Sequence, residues 1–231
     1  MAFQGYTQET VDFMWGIRFN NERGWFLEHK DDYINTFLTP TRELGEQVYD
    51  AVHALLPDEP LMLKVSRIYR DARRLFGRGP YKDHLWWCIR TGDKDWTGRP
   101  TFWFELGPDY YSFGLGFWSP AAALMETYRK QIDAHPEELS KLVRQFNRQS
   151  VFTLDGPEYA RSKGQTSDLL RPWYQKKSLS LRWEGPLDER IFTSALAEDV
   201  IAGFKTLIPF YHYFNKLVAL TPRQERRGED A

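Results

Sequence analysis

The stretch "TFWFELGPDYYSFGLGF", residues 101–117, decides the fold. Two runs of aromatic and branched residues flank Gly107-Pro108-Asp109, the residue chemistry of a tight hairpin loop. Strands joined that closely pair antiparallel, because a parallel pair needs a crossover of about a dozen residues or more. Segments of the same character lie on both sides: "LMLKVSRIY" (61–69), "HLWWCIR" (84–90), "SVFTLDG" (150–156) and "KKSLSLRWEG" (176–185). "DWTGRP", residues 95–100, is a further turn.

Helical periodicity surrounds these strands. Val11, Met14, Trp15 and Phe19 form one apolar stripe, and Trp25, Phe26, Tyr33 and Phe37 predict a second helix. Thr39-Pro40 predicts an N-cap with proline at the first position of a third helix, which runs through Leu44, Val48, Val52 and Leu55. Ser119-Pro120 repeats that signal ahead of Leu124, Met125, Tyr128 and Ile132, and His135-Pro136 ends the helix. Leu139, Leu142, Val143 and Phe146 mark the next one. Ser194 caps a last helix through Leu196, Val200, Phe204 and Leu207, which Pro209 kinks or restarts. Strands clustered between helices imply one α+β domain, residues 1–220, with a central antiparallel sheet flanked by N-terminal and C-terminal helices. The charged tail, 221–231, is expected to be disordered.

A chain of 231 residues is long enough to bury a large core. Its 31 basic and 32 acidic residues leave a net charge of -1, which gives no global reason to expect nucleic acid or a membrane surface. The N-terminus lacks the features of a signal peptide, and no run approaches the roughly 18 apolar residues of a membrane helix. The single cysteine, Cys88, precludes an internal disulfide and lies in an apolar run that suggests packing. A cytoplasmic protein is expected. The five histidines show no HxH or HExxH spacing and there is no Cys-x-x-Cys, so neither a metal nor a cofactor is expected.

Against that overall balance, residues 64–82 carry seven basic residues (Lys64, Arg67, Arg70, Arg73, Arg74, Arg78 and Lys82) and one acid, Asp71. As a strand, this segment would send Arg67 and Arg70 to opposite faces; as a helix over 66–74, it would align Arg67, Arg70 and Arg74. In either case "LFGRGP" (75–80) is a turn in which Gly77 and Gly79 admit positive φ. Guanidinium groups bind carboxylate or phosphate through two parallel hydrogen bonds. Arg67, Arg70, Arg73, Arg78, Tyr81 and Lys82 are therefore the candidate site for a small anionic ligand. Asp71 and His84 are candidate proton carriers, although nothing in the sequence demands a catalytic step.

A second feature joins them. In 109–117, Tyr111, Phe113, Leu115 and Phe117 face one way, while Tyr110, Ser112, Gly114 and Gly116 face the other. Gly114 and Gly116 strip that second face, as if another backbone or a ligand lies close. The strand leads to the helix start at Ser119, whose free N–H groups favour an anion. The Gly-x-Gly before a helix is not a dinucleotide fingerprint, because its strand arrives from a hairpin. Two alternatives compete. In one, the arginines are structural ion pairs of a non-enzymatic protein-interaction module. Trp86, Trp87, Trp96, Trp103 and Trp118 cluster in the strand region, and exposed rings there are suited to stacking sugars or bases. Adjacent Trp86 and Trp87 point to opposite faces, so at least one belongs to the core.

"NNERGWF" (20–26), "RIYRDAR" (67–73) followed by "PYK" (80–82), "GLGFWSP" (114–120) with Arg129 beyond it, and "KKSLSLRW" (176–183) before a terminal helix with Pro209 occur in a recognisable order. Together they resemble the bacterial family known as domain of unknown function 2461, from about Tyr6 to Leu217. The resemblance implies one domain of shared architecture and no particular activity. It maps Arg67, Arg70, Asp71, Arg73, Pro80, Tyr81 and Lys82 onto the family's central signature. The family pattern has Phe at the place of Arg74 and an Asp-Lys pair at the place of Gly77-Arg78. Arg78 keeps the positive charge, and the carboxylate is absent.

Overall fold

Antiparallel pairing runs unbroken through the middle of the chain. In the computed structural model, which describes residues 2–222, six strands form one sheet in the order β1-β2-β3-β4-β6-β5. The strands are β1 (Leu61–Val65), β2 (Leu85–Thr91), β3 (Pro100–Leu106), β4 (Tyr111–Phe117), β5 (Thr153–Asp155) and β6 (Ser180–Gly185). Of the expected tail, residues 223–231 lie outside the described residues.

The helices fall as α1 (Gln8–Phe19), α2 (Arg23–Glu28), α3 (Lys30–Asp32), α4 (Thr39–Leu55), α5 (Ala122–Ala134), α6 (Pro136–Phe146), α7 (Arg171–Tyr174) and α8 (Ala195–Leu220). The chain is therefore an α+β domain with an antiparallel sheet and flanking helices. Among the described residues, no helix is long and apolar enough to cross a membrane.

Three helix boundaries differ from the sequence expectation. Thr39 does not cap a new helix: a π-helical turn, Tyr33–Leu38, carries the chain straight into α4. Pro40 has no N–H for the carbonyl of Thr36 four residues earlier, and that carbonyl accepts the Thr10 hydroxyl at 2.6 Å instead. The helix expected from Ser119 begins at Ala122 with Ala121 at the N-cap. Pro209 does not restart a helix: it lies inside α8, which continues to Leu220 and is buried on several sides. Phe204 packs on the sheet, 4.8 Å between ring centroids from Phe102, while Phe210 meets Trp173 at 5.4 Å and Phe146 at 5.7 Å.

Register divides the sheet into two unlike faces. Val65, Trp87, Phe104, Phe113 and Trp183 are cross-strand partners in one row. Trp87, Phe104 and Phe113 of that row are buried in the core, Trp87 and Phe113 against Phe204 of α8. Gly45 lets α4 approach closely, since a Cβ there would stand 3.3 Å from both Leu63 and Trp87. On the opposite face the corresponding row reads Lys64, Cys88, Trp103, Gly114, Arg182 and Thr153. A cavity lies over that second face.

Candidate functional site

The open face holds a cavity of about 430 Å³, a volume typical of small-molecule sites. Its floor comes from three adjacent cross-strand rows. Trp86, Glu105 and Ser112 lie at one end, Cys88, Trp103 and Arg182 in the middle, and Thr101, Gly116, Ser180 and Asp155 at the other end. Trp96 and Trp118 stand at its rim, Trp118 largely exposed.

The bare stretch of β4 now has a physical reason. Gly114 is the cross-strand partner of both Trp103 and Arg182. A Cβ at Gly114 would lie 2.1 Å from the Leu181 carbonyl oxygen, and one at Gly116 2.5 Å from that of Leu179. The close backbone anticipated from the sequence is that of β6 and the residue before it. With no side chain at 114, the Arg182 guanidinium lies 5.8 Å from the Trp103 ring centroid, a cation–π contact. Its terminal nitrogens reach Asp155 at 3.6 Å and Glu184, while its Nε is buried without a partner. Glu105 accepts the Tyr110 hydroxyl.

The basic segment meets this cavity at the Trp86 end. The sequence left it open between strand and helix, and it is neither. It is a hairpin-like excursion in which Lys82 N–H donates to the Ile68 carbonyl and Arg70 N–H to that of Pro80, with a single bridge between Tyr69 and Tyr81 and a 3₁₀ turn at Ala72–Arg74. Gly77 has the positive φ expected of it, whereas Gly79 does not. Gly79 instead makes room for Asn21, whose side chain would meet a Cβ there at 2.2 Å. Asn21 then clasps Tyr81, accepting its N–H and donating to its carbonyl, both at 2.9 Å.

Arg67 and Arg70 lie close enough to act on the charge of Lys82, and the other candidate residues have partners of their own. Lys82 Nζ lies 5.6 Å from the Trp86 ring centroid, beside the cavity. Burial, and then the positive charge of Arg70, push the Lys82 amine down to about 8; Glu105 opposes that shift and Arg67 adds to it. Arg70 donates through Nε to the Tyr81 carbonyl at 2.7 Å and stands 3.9 Å from Asp83. Arg73 is exposed and paired with Asp71 at 2.8 Å, and the Asp71 carboxylate also accepts the Arg73 N–H, capping the turn. Arg78 is exposed, with Nε 3.4 Å from the Leu75 carbonyl. Tyr81 is buried, its ring stacked 4.3 Å from Phe26, rather than presented to solvent. Ser119 gives its N–H to the Thr97 carbonyl at 2.8 Å, so that donor is already used. His84 Nδ1 lies 3.0 Å from Asp83.

Asp83 is the hub that fixes this end of the sheet, and it makes a testable contribution to stability. Hydrogen bonds from His84 and then Arg18 hold its carboxyl well below the usual range, against the opposing effect of burial. A carboxylate with a lowered pKa stabilises the fold above its unfolded value, and the contribution is lost as pH falls toward the folded value. Asp83→Ala is therefore expected to cost about 1.5–3 kcal/mol at neutral pH. In urea unfolding, the gap from wild type should narrow below about pH 4. A gap that stays constant from pH 7 to pH 3 would contradict this role.

Arg182, Glu105, Ser112, Ser180 and Asp155 were missed from sequence. The alternation in "KKSLSLRWEG" puts Ser180, Arg182 and Glu184 on one face, but only the register of β6 against β4 reveals that this is the open face. Cys88 is buried, and burial pushes its thiol up to about 11, so it serves as packing under the cavity and is a poor nucleophile. Among the described residues, no three metal-ligating side chains are gathered.

Fold and site together define an α+β protein whose sheet packs helices on one face and keeps a tryptophan-rich trough on the other. The family profile "Conserved hypothetical protein (DUF2461)" matches residues 9–213, and the chain belongs to that family. No curated protein matches it.

Proposed function

We propose that this protein binds a small anion that carries a ring. The ring rests on the tryptophans of the open sheet face, and the anionic group is held at the Lys82 end. The observation that carries this reading is Lys82 itself. Its amine sits over Trp86 at the cavity edge, among the like charges of Arg67 and Arg70. Among the described residues it forms no ion pair with a carboxylate. The middle of the floor is less suited to an anion, because Arg182 already faces Asp155 and Glu184. Glu105, Ser112 and Ser180 supply acceptors and hydroxyls for polar substituents on the ring. Cytoplasmic residence belongs to the same proposal, and the free thiol of buried Cys88 is compatible with it.

A second reading is favoured by the pairing of Arg70 with Asp83 and of Arg73 with Asp71. There the basic segment is structural and the exposed Phe76 and Phe19 meet a partner protein. A thermal-shift screen in low salt against aryl phosphates, nucleotides, sugar phosphates and dicarboxylates separates the two. Ligand at about 100 times its dissociation constant adds ~2.7 kcal/mol of stability. We expect a shift with ring-bearing anions that Lys82→Met and Trp103→Leu both reduce. No shift with any member of the panel would reject the ligand reading in favour of the partner surface.

A further inference from the structure

Three cations converge on one ring far along the chain from Lys82. Arg129 of α5, Lys163 in the loop after β5 and Lys177 just before β6 place their charged ends 5.2, 4.4 and 5.6 Å from the Tyr159 ring centroid. Backbone bonds fix this arrangement. Tyr159 N–H donates to the Gln175 carbonyl at 3.0 Å and Lys177 N–H to the Pro157 carbonyl at 2.7 Å, so 157–159 lies against 175–177. Lys163 N–H is held by Gln175 Oε1 at 3.2 Å.

Carboxylates near these residues in sequence have other partners. Glu126 pairs with Lys130 at 2.8 Å, Glu158 with Lys176 at 3.0 Å, and Asp168 with Arg171. Asp133 accepts the Tyr174 hydroxyl at 3.1 Å. Among the described residues, Arg129, Lys163 and Lys177 form no ion pair, and Nη1 of Arg129 is buried without a hydrogen-bond partner. A neutral ring offsets little of the mutual repulsion of three cations, and it gives a buried guanidinium N–H no lone pair. A multiply charged oxyanion supplies both the charge and the acceptor.

We propose that the Tyr159 cluster is a second anion site, separate from the trough, for a phosphate or pyrophosphate group. Arg129 supplies the directional hydrogen bonds, and Lys163 and Lys177 close over the anion from the surface.

Isothermal titration of the full chain with inorganic pyrophosphate, inorganic phosphate and glycerol 3-phosphate at constant ionic strength tests this. Wild type is expected to bind saturably at one site. Lys163→Ala/Lys177→Ala removes two exposed side chains; it is expected to keep the melting temperature and to bind at least about tenfold more weakly. Arg129→Gln should weaken binding as well. Tighter binding of pyrophosphate would assign the site to free polyphosphates, and equal binding of glycerol 3-phosphate would assign it to phosphate esters. No saturable heat, or wild-type affinity in the double lysine variant, would overturn the proposal. Loss of the same heat in Lys82→Met alone would also overturn it, by assigning the anion to the trough.

Discussion

Trp87→Ala is expected to lower stability by about 3–5 kcal/mol, while the same change at its neighbour Trp86 is expected to cost only about 1 kcal/mol and to weaken ligand binding instead. Trp87 has no solvent exposure and stacks 5.4 Å from Phe104, with Phe204 of α8 edge-on at 6.3 Å. Its removal opens a void where α4, α8 and the sheet meet, which close-packed neighbours refill only in part. For a domain of this size the loss corresponds to a drop in melting temperature of about 6–20 °C. Trp87→Phe should cost much less, because it keeps a ring and removes an indole N–H that is buried without a partner. Trp86 is half-buried on the open face, beneath Lys82. Thermal melts of the three variants, with and without the best ligand of the screen, check the asymmetry. Equal destabilisation by the two alanine changes would mean that the open face is as much core as the covered one.

The pair also shows what could be read from the chain and what could not. Strand alternation alone sends Trp86 and Trp87 to opposite faces, and Gly107-Pro108-Asp109 alone dictates the hairpin between β3 and β4. Which face the helices cover is a different kind of information. It depends on where α8 docks, about a hundred residues further on, and no local period encodes that. The same limit hid Arg182, whose role follows from its position opposite Gly114 in the register. The basic segment shows a related limit. Charge density in sequence says nothing about convergence, and side chains there turn to separate partners: Arg73 to Asp71, Arg70 to Asp83 and the Tyr81 carbonyl. Gly79 looked like a residue chosen for backbone freedom, when its task is to leave space for Asn21. Thr39-Pro40 carries a true helix-start signal, overridden because Thr10 supplies the hydrogen bond that the proline cannot.

Anion binding in the trough is expected to weaken as pH rises through about 8, by up to about tenfold per pH unit, and Lys82→Met is expected to abolish that dependence. The Lys82 amine is held down to about 8 from an ordinary 10.5 by burial and by Arg70, with Glu105 opposing and Arg67 reinforcing. Below that value the ammonium is present and attracts the anion; above it the free protein carries a neutral amine, and binding must recruit a proton. The apo fold should respond in the opposite sense. A lysine whose folded pKa is lowered penalises the folded state while it is charged, and the penalty is relieved as pH climbs from about 8 toward 10.5. Burial and Glu105 push Tyr110 well above its ordinary value, out of the same window. A suitable probe is 1-anilinonaphthalene-8-sulfonate, a ring-bearing anion whose sulfonate does not titrate here, followed by its fluorescence from pH 7 to 10. A curve that bends near 8 in wild type and is flat in Lys82→Met would tie the anion to this amine. A flat curve in both would remove Lys82 from the site while leaving the tryptophan floor in place, because stacking on Trp86 and Trp103 carries no charge to titrate.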